Sequence, residues 1–183
     1  MHSGNHADGA VVAARAGDAW PPRGTFVEVH RRGGRVTSVR VVAETTREAP
    51  PLWYVAVPEP DASPPAYQLV AFSSGHRADG DVIHDVELAA VGVRNDQQVA
   101  AFRWWPESGM THQVYVQPAW RRRGIGHKLV YAVAGFAAAN GWPRLQASGQ
   151  RTDDGHALAT GVSHIASRVP QRTHVLPSMT PAD

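Results

Sequence analysis

Cysteine is absent from these 183 residues, which excludes disulfides, thiolate metal sites and covalent thiol catalysis together. Lysine occurs once, at Lys128, and the remaining basic residues are arginines, a bias that reads as high-GC codon usage. No apolar run approaches the roughly 18 to 20 residues that a membrane span requires. The first residues, Met1 to Asp8, have neither a basic n-region nor a long apolar h-region, so no secretory signal is expected and the expected location is cytoplasmic. A net charge of +2 is too small to imply a nucleic-acid partner by itself. There is no G-x-S-x-G, and His84, Asp85 and Glu87 lack the i,i+4 helical arrangement of a metal site, so neither a serine-hydrolase elbow nor a metal is expected.

What is present suits one soluble domain, with 43% hydrophobic and 19% charged residues. Residues 1–22 are rich in Gly, Ala and His and end at Trp20-Pro21-Pro22; they read as a flexible arm with a helical turn near Val11 to Ala16. A single domain is expected over 23–169, followed by a polar, proline-punctuated tail over 170–183. Strands are expected at Thr25 to Arg31 and Arg35 to Ala43, joined by Gly33-Gly34 as a hairpin. Others are expected at Leu52 to Val57, Tyr67 to Phe72, Val82 to Val93 with an interruption, Gln98 to Trp105 and His112 to Val116. The prolines between Pro58 and Pro65 read as a break between strands. No helical period stands out between residues 25 and 110, so the N-terminal half is strand-rich.

Helices come late. Leu129, Val130, Val133, Phe136, Ala137 and Asn140 recur at helical spacing, and Gly141 and Pro143 close that segment. A short strand is expected over Pro143 to Ala147. Thr152 offers an N-cap with Asp153 and Asp154 in the first turn, and Leu158, Gly161, Val162 and Ile165 continue at helical spacing towards Pro170.

Between the strands and the first helix lies the most informative segment, Val114-Tyr115-Val116-Gln117-Pro118-Ala119-Trp120-Arg121-Arg122-Arg123-Gly124-Ile125-Gly126. A strand, a basic glycine turn and a helix start make a phosphate pocket, because bare N–H groups converge at the positive end of the helix dipole. The spacing is not that of a P-loop, and Leu129 stands where a dinucleotide fingerprint needs its third glycine.

Arg121-x-x-Gly124-x-Gly126, preceded by Val116-x-Pro118, resembles the acyl-CoA-binding motif of the GNAT N-acetyltransferases. The likeness is firm over about residues 110 to 140, weaker on to about 169, and does not extend upstream residue by residue. It implies an α/β (α+β) fold: a mixed, mainly antiparallel sheet with C-terminal helices packed on it. The two helices that the family carries between its first strands have no counterpart here. The resemblance implies acetyl-CoA as acyl donor, without a metal. Its pyrophosphate would meet the backbone of Arg121, Arg122, Arg123, Gly124, Ile125 and Gly126, with guanidinium help, and its pantetheine would meet Val114 and Val116.

Catalytic positions depart from the family pattern. Where members often carry a glutamate base, two residues before the L-x-V, this chain has His112, an imidazole able to take a proton near neutrality. The family's N-x-x-A-x-x-x-Y helix aligns with Asp154-x-x-Ala157-x-x-x-Gly161, so its tyrosine acid is a glycine here. Tyr131, His156, Ser163 and His164 are possible substitutes, as is water. Trp104 and Trp105 lie at a strand end where aromatic faces could receive an amine substrate, or serve as core and edge packing. The expectation is an N-acyltransferase acting on a small-molecule or peptide amine. The alternatives are a catalytically silent CoA-binding domain and a basic nucleic-acid-binding module. A homodimer is expected by analogy of fold alone.

Overall fold

The computed structural model describes residues 11–14, 25–161 and 169–177. Strands β1 (Val11–Ala14), β2 (Phe26–Arg32) and β3 (Arg35–Val42) form one antiparallel sheet in that order. The β2–β3 turn has positive φ at Gly33 and Gly34, as the hairpin reading requires. Val11–Ala14 is a strand against Val27–His30, not the expected helical turn. The edge of β2 supplies backbone partners that local sequence does not record.

The second sheet has five strands in the order β6-β4-β5-β7-β8. These are β4 (Trp53–Glu59), β5 (Ala66–Phe72), β6 (Val82–His84), β7 (Gln98–Trp105) and β8 (Met110–Val116). Only the β6–β4 pair is parallel, so the sheet is mixed and mainly antiparallel. Strand β4 runs through Pro58, contrary to the expected break. Strand β6 pairs only with Tyr54 to Ala56, so past Ala56 that flank is an edge and the missing N–H costs no ladder bond. The stretch expected as an interrupted strand to Val93 leaves the sheet after His84. It continues as a turn stabilised by the Glu87 carboxylate on the His84 N–H (2.9 Å) and a one-turn helix α1 (Leu88–Val91). Apart from this turn of helix, residues 25 to 110 are built of strands and 3-10 turns, as the lack of helical period implied.

Helix α2 (Ile125–Ala139) lies between the two sheets, against β2 and β3 on one side and β7 and β8 on the other. Its buried surface is therefore much wider than one stripe. Ile125, Leu129, Tyr131, Ala132, Val133, Phe136, Ala137 and Ala139 are all buried. Burying each large side chain contributes about 1.5–3 kcal/mol. Gly135 marks the closest approach, since a Cβ there would lie 2.6 Å from Val27 Cγ1. On the β7 side Phe136 meets Tyr67, Trp104 and Trp142, with ring centroids 5.0 to 6.2 Å apart across the cluster. The other face of the sheet has a smaller core of Trp53, Val55, Phe72 and Ile83 beneath α1.

Where a whole strand was expected over Pro143 to Ala147, the described residues make a single β-bridge to β8, Met110–Gln146. Strands β9 (Gln150–Arg151) and β10 (His174–Val175) pair in parallel, drawing part of the expected tail against the domain. Helix α3 (Asp153–Thr160) starts at the expected cap, with the Gly155 N–H donating to Thr152 Oγ1 at 3.0 Å. Val162, Ser163, His164 and Ile165 fall outside the described residues.

Candidate active site

Strand β8 is the edge of its sheet. Its Thr111 N–H reaches Gln146 O (2.8 Å), and beyond that point only β7 pairs with it among the described residues. A bulge at His112 resets the alternation. The Gln117 N–H donates to Val99 O at 2.9 Å, so the backbone groups of Tyr115 and Gln113 face β7, and those of Val114 and Val116 face the open edge. Both valines, expected as cofactor contacts, therefore present backbone groups to the side from which a ligand would approach.

Pro118 lacks the N–H to continue the strand and starts a 3-10 turn to Trp120. Arg121 is extended, Arg122 takes a left-handed φ of 61°, and Gly124 a φ of 72° as the N-cap of α2. Lys128 N–H makes the first intrahelical bond, to Gly124 O at 3.0 Å. The N–H groups of Ile125, Gly126 and His127 precede it, Gly124 has no side chain to cap them, and no acidic residue lies in the first turn. An anion suits this end of the helix.

The three arginines do not share one role. Arg121 donates through Nε to Val116 O (3.0 Å) and pairs with Asp154 at the start of α3 (3.2 Å), tying the loop to that helix. Arg123 lies over the Trp120 ring at 5.2 Å, and Arg122 and Arg123 are exposed. The side chain of Ile125 is in the core, leaving only its backbone to a ligand. A Cβ on Gly124 would come within 2.6 Å of Thr45 O, so this glycine serves packing against the N-terminal half as well as access to the loop. Above Gly126 lies Leu158 of α3, whose Cδ1 would be 3.1 Å from an added Cβ.

The lysine of the chain anchors the same end of α2. Lys128 Nζ donates to Asp79 Oδ1 (2.7 Å) and Pro50 O (3.1 Å), and Asp79 Oδ1 also accepts from Leu52 N–H (2.7 Å). His127, which sequence reasoning passed over, sits beside it with a buried, unpartnered Nε2 3.6 Å from where a Gly161 Cβ would be. Burial holds its pKa below the ordinary imidazole range.

On the sheet face away from α2, a polar row crosses four strands. Gln68 Nε2 donates to Glu59 Oε1, Glu59 Oε2 accepts from Arg103 Nε (2.8 Å) and NH2 (2.7 Å), and Arg103 NH1 meets His112 Nδ1 at 3.1 Å. The Trp105 ring lies tilted against His112, with centroids 5.2 Å apart and planes at 50°. Burial pushes the Glu59 carboxyl up, but the hydrogen bonds from Arg103 and Gln68 and the guanidinium charge bring it below its ordinary value. His112 is held low by burial and then by the Arg103 charge, against an upward pull from Glu59. Sequence reasoning missed Glu59, Gln68 and Arg103, which only the strand register brings together.

Two expected residues fall outside the site. Trp104 is fully buried in the aromatic cluster under α2, because successive strand residues face opposite ways and Trp105 takes the other face. Tyr131, expected as a substitute acid, is 1% exposed in the core and cannot meet a leaving group. Of the other substitutes, His156 has a buried, unpartnered Nδ1, while Ser163 and His164 lie outside the described residues. Among the described residues, no group of three or more His, Cys, Asp or Glu is placed to hold a metal ion, and no helix is long and apolar enough to cross a membrane.

An open strand edge running into a basic turn and a bare helix N-terminus is a layout that suits a phosphate-bearing acyl carrier. A family model described as Acetyltransferase (GNAT) family matches residues 47–159, more than half of the chain, and the chain belongs to this family of acyl-CoA-dependent acetyltransferases. The match takes in β4 to α3, upstream of the reach of the loop resemblance, and leaves the β1–β3 sheet outside it. Neither the curated proteins nor the solved structures gave a match.

Proposed function

We propose that this protein is an N-acetyltransferase that uses acetyl-CoA to acetylate a primary amine on a small molecule or a peptide. The observation that carries the reading is the uncapped N-terminus of α2 beside the open edge of β8. Residues fit for the donor are the N–H groups of Ile125, Gly126 and His127 for the pyrophosphate, Arg122 and Arg123 for its charge, and the backbone of Val114 and Val116 for the pantetheine arm. Bound there, acetyl-CoA would supply an activated acetyl thioester. Arg121 holds the turn to α3 in place of reaching outward with its whole guanidinium. The acceptor amine would approach past His112 and Trp105, the partly exposed pair on the face opposite α2.

Gly161, exposed at the family's tyrosine position, supports a second reading in which the domain binds CoA without turnover. A thermal-shift titration with acetyl-CoA followed by a thiol-release assay across an amine panel separates the two. Ligand at about 100 times its Kd stabilises by about 2.7 kcal/mol, a rise of about 5 °C or more in Tm for a domain of this size. A rise with amine-dependent thiol release supports the transferase, and a rise without release supports the silent domain. No rise at millimolar acetyl-CoA would sink both.

A further inference from the structure

Arginine has only donors, so the contact between Arg103 NH1 and His112 Nδ1 at 3.1 Å requires Nδ1 to be the acceptor. The lone pair on that nitrogen is then engaged, and a neutral ring carries its hydrogen on Nε2. We propose that Arg103 is a positioning residue that fixes His112 as its neutral Nε2–H tautomer, so that the ring meets the reacting groups as a hydrogen-bond donor and not as a base. This rests on the transferase reading for its kinetic consequence but not for the tautomer itself.

Three features support the assignment. The Arg103 guanidinium cannot turn away, because its Nε and NH2 are both held on Glu59 Oε2. Glu59 is in turn fixed by Gln68, so the row is anchored across β4, β5 and β7 before it reaches His112. Trp105 packs against the imidazole and limits its rotation. The charged groups that bear on the ring are Arg103 from β7 and Glu59 from β4, and the nearer of them is the cation. Protonating Nδ1 would point a second N–H at a guanidinium. Loss of the hydrogen on Nε2 would leave an imidazolate, so that hydrogen stays in place while the C–N bond forms at the expense of the C–S bond. The C–S electron pair leaves with CoA as its thiolate, and the proton shed by the acceptor passes to water. The substrate class follows: the acceptor reacts as its free amine, and weakly basic amines such as arylamines or hydrazines are favoured at neutral pH over alkylammonium ions.

The direct test is the 15N spectrum of the His112 imidazole in the whole protein between pH 5.5 and 8, for the native chain, Arg103→Met and Arg103→Lys. In the native protein Nδ1 should show the signal of a bare ring nitrogen and Nε2 that of a protonated one, with the ring titrating below an ordinary imidazole. Arg103→Met should let the ring exchange between tautomers and move its titration upward, since the guanidinium charge is lost and Glu59 remains, and Arg103→Lys should keep much of the native pattern. A native ring protonated on Nδ1, or an Arg103→Met spectrum unchanged from native, overturns the assignment whether or not the protein turns over. For an active enzyme, kcat/KM with an alkylamine should climb with the amine's own titration through pH 6 to 9, and a second break that follows the imidazole's 15N titration should appear only in Arg103→Met. Such a second break in the native profile would restore His112 as a base.

Discussion

At the C-terminal end of α2 every one of the last four carbonyls has a partner. Phe136 O accepts from Asn140 Nδ2 and N–H, Ala137 O from the N–H groups of Asn140 and Trp142, Ala138 O from Gly141 N–H, and Ala139 O from Arg31 of the hairpin. At the N-terminal end the N–H groups of Ile125, Gly126 and His127 meet a glycine cap with no side chain. The same helix is thus closed at one end and open at the other, where the acyl donor is proposed to bind. The open end is not loose, because Lys128 and Asp79 pin it from the side and Gly124 packs under Thr45. If the donor binds at the open end as proposed, substitution of the exposed Arg123 there should move affinity and spare stability, and substitution of Arg31 at the closed end should do the reverse. Asp79, beside the open end, should act on stability.

The largest effect is expected from Asp79→Ala, which leaves the Lys128 ammonium at 5% exposure without its carboxylate. Because Asp79 is itself 38% exposed and Pro50 O stays on the ammonium, solvent screens the pair and the loss should be about 1–3 kcal/mol, to be measured by urea denaturation. A loss below about 1 kcal/mol would show that the N-terminal end is held by packing alone. Next in size, Arg123→Ala should weaken acetyl-CoA binding about tenfold by calorimetry, in line with the loss of one charge-assisted contact, while Tm stays within a degree or two. Unchanged affinity would remove Arg123 from the donor site. The smallest effect is expected from Arg31→Ala, which takes the donor from Ala139 O and should cost about 1 kcal/mol with acetyl-CoA affinity unaltered. If affinity fell with it, the two ends would be coupled through the helix.

The elements legible in sequence were those set by local chemistry. Pro118, the glycine spacing from Gly124 to Gly126, Gly141 after the helix and the Thr152 cap each act within a few residues, and each stands where the chain implied. What tertiary pairing decides was not legible. Trp104 and Trp105 had to face opposite ways, but nothing local says which face α2 covers. Tyr131 reads as available on a helix with one apolar stripe and is buried because a second sheet covers that flank. Arg103 and His112 are nine residues apart, and only the β7–β8 register with its bulge brings the guanidinium to the ring. The role of Pro58 depended on the short reach of β6, which the proline run itself does not record.

The pairing of Lys128 with Asp79 has a chemical consequence apart from stability. A protein that handles acetyl thioesters is exposed to an acylating agent wherever it carries an unprotonated, accessible lysine amine. Here the lone lysine of the sequence is buried, charged partner in place, with two oxygens on its Nζ. Its ε-amine is withheld from stray acylation by its own donor, and an amine-directed reagent would find no exposed lysine side chain to modify.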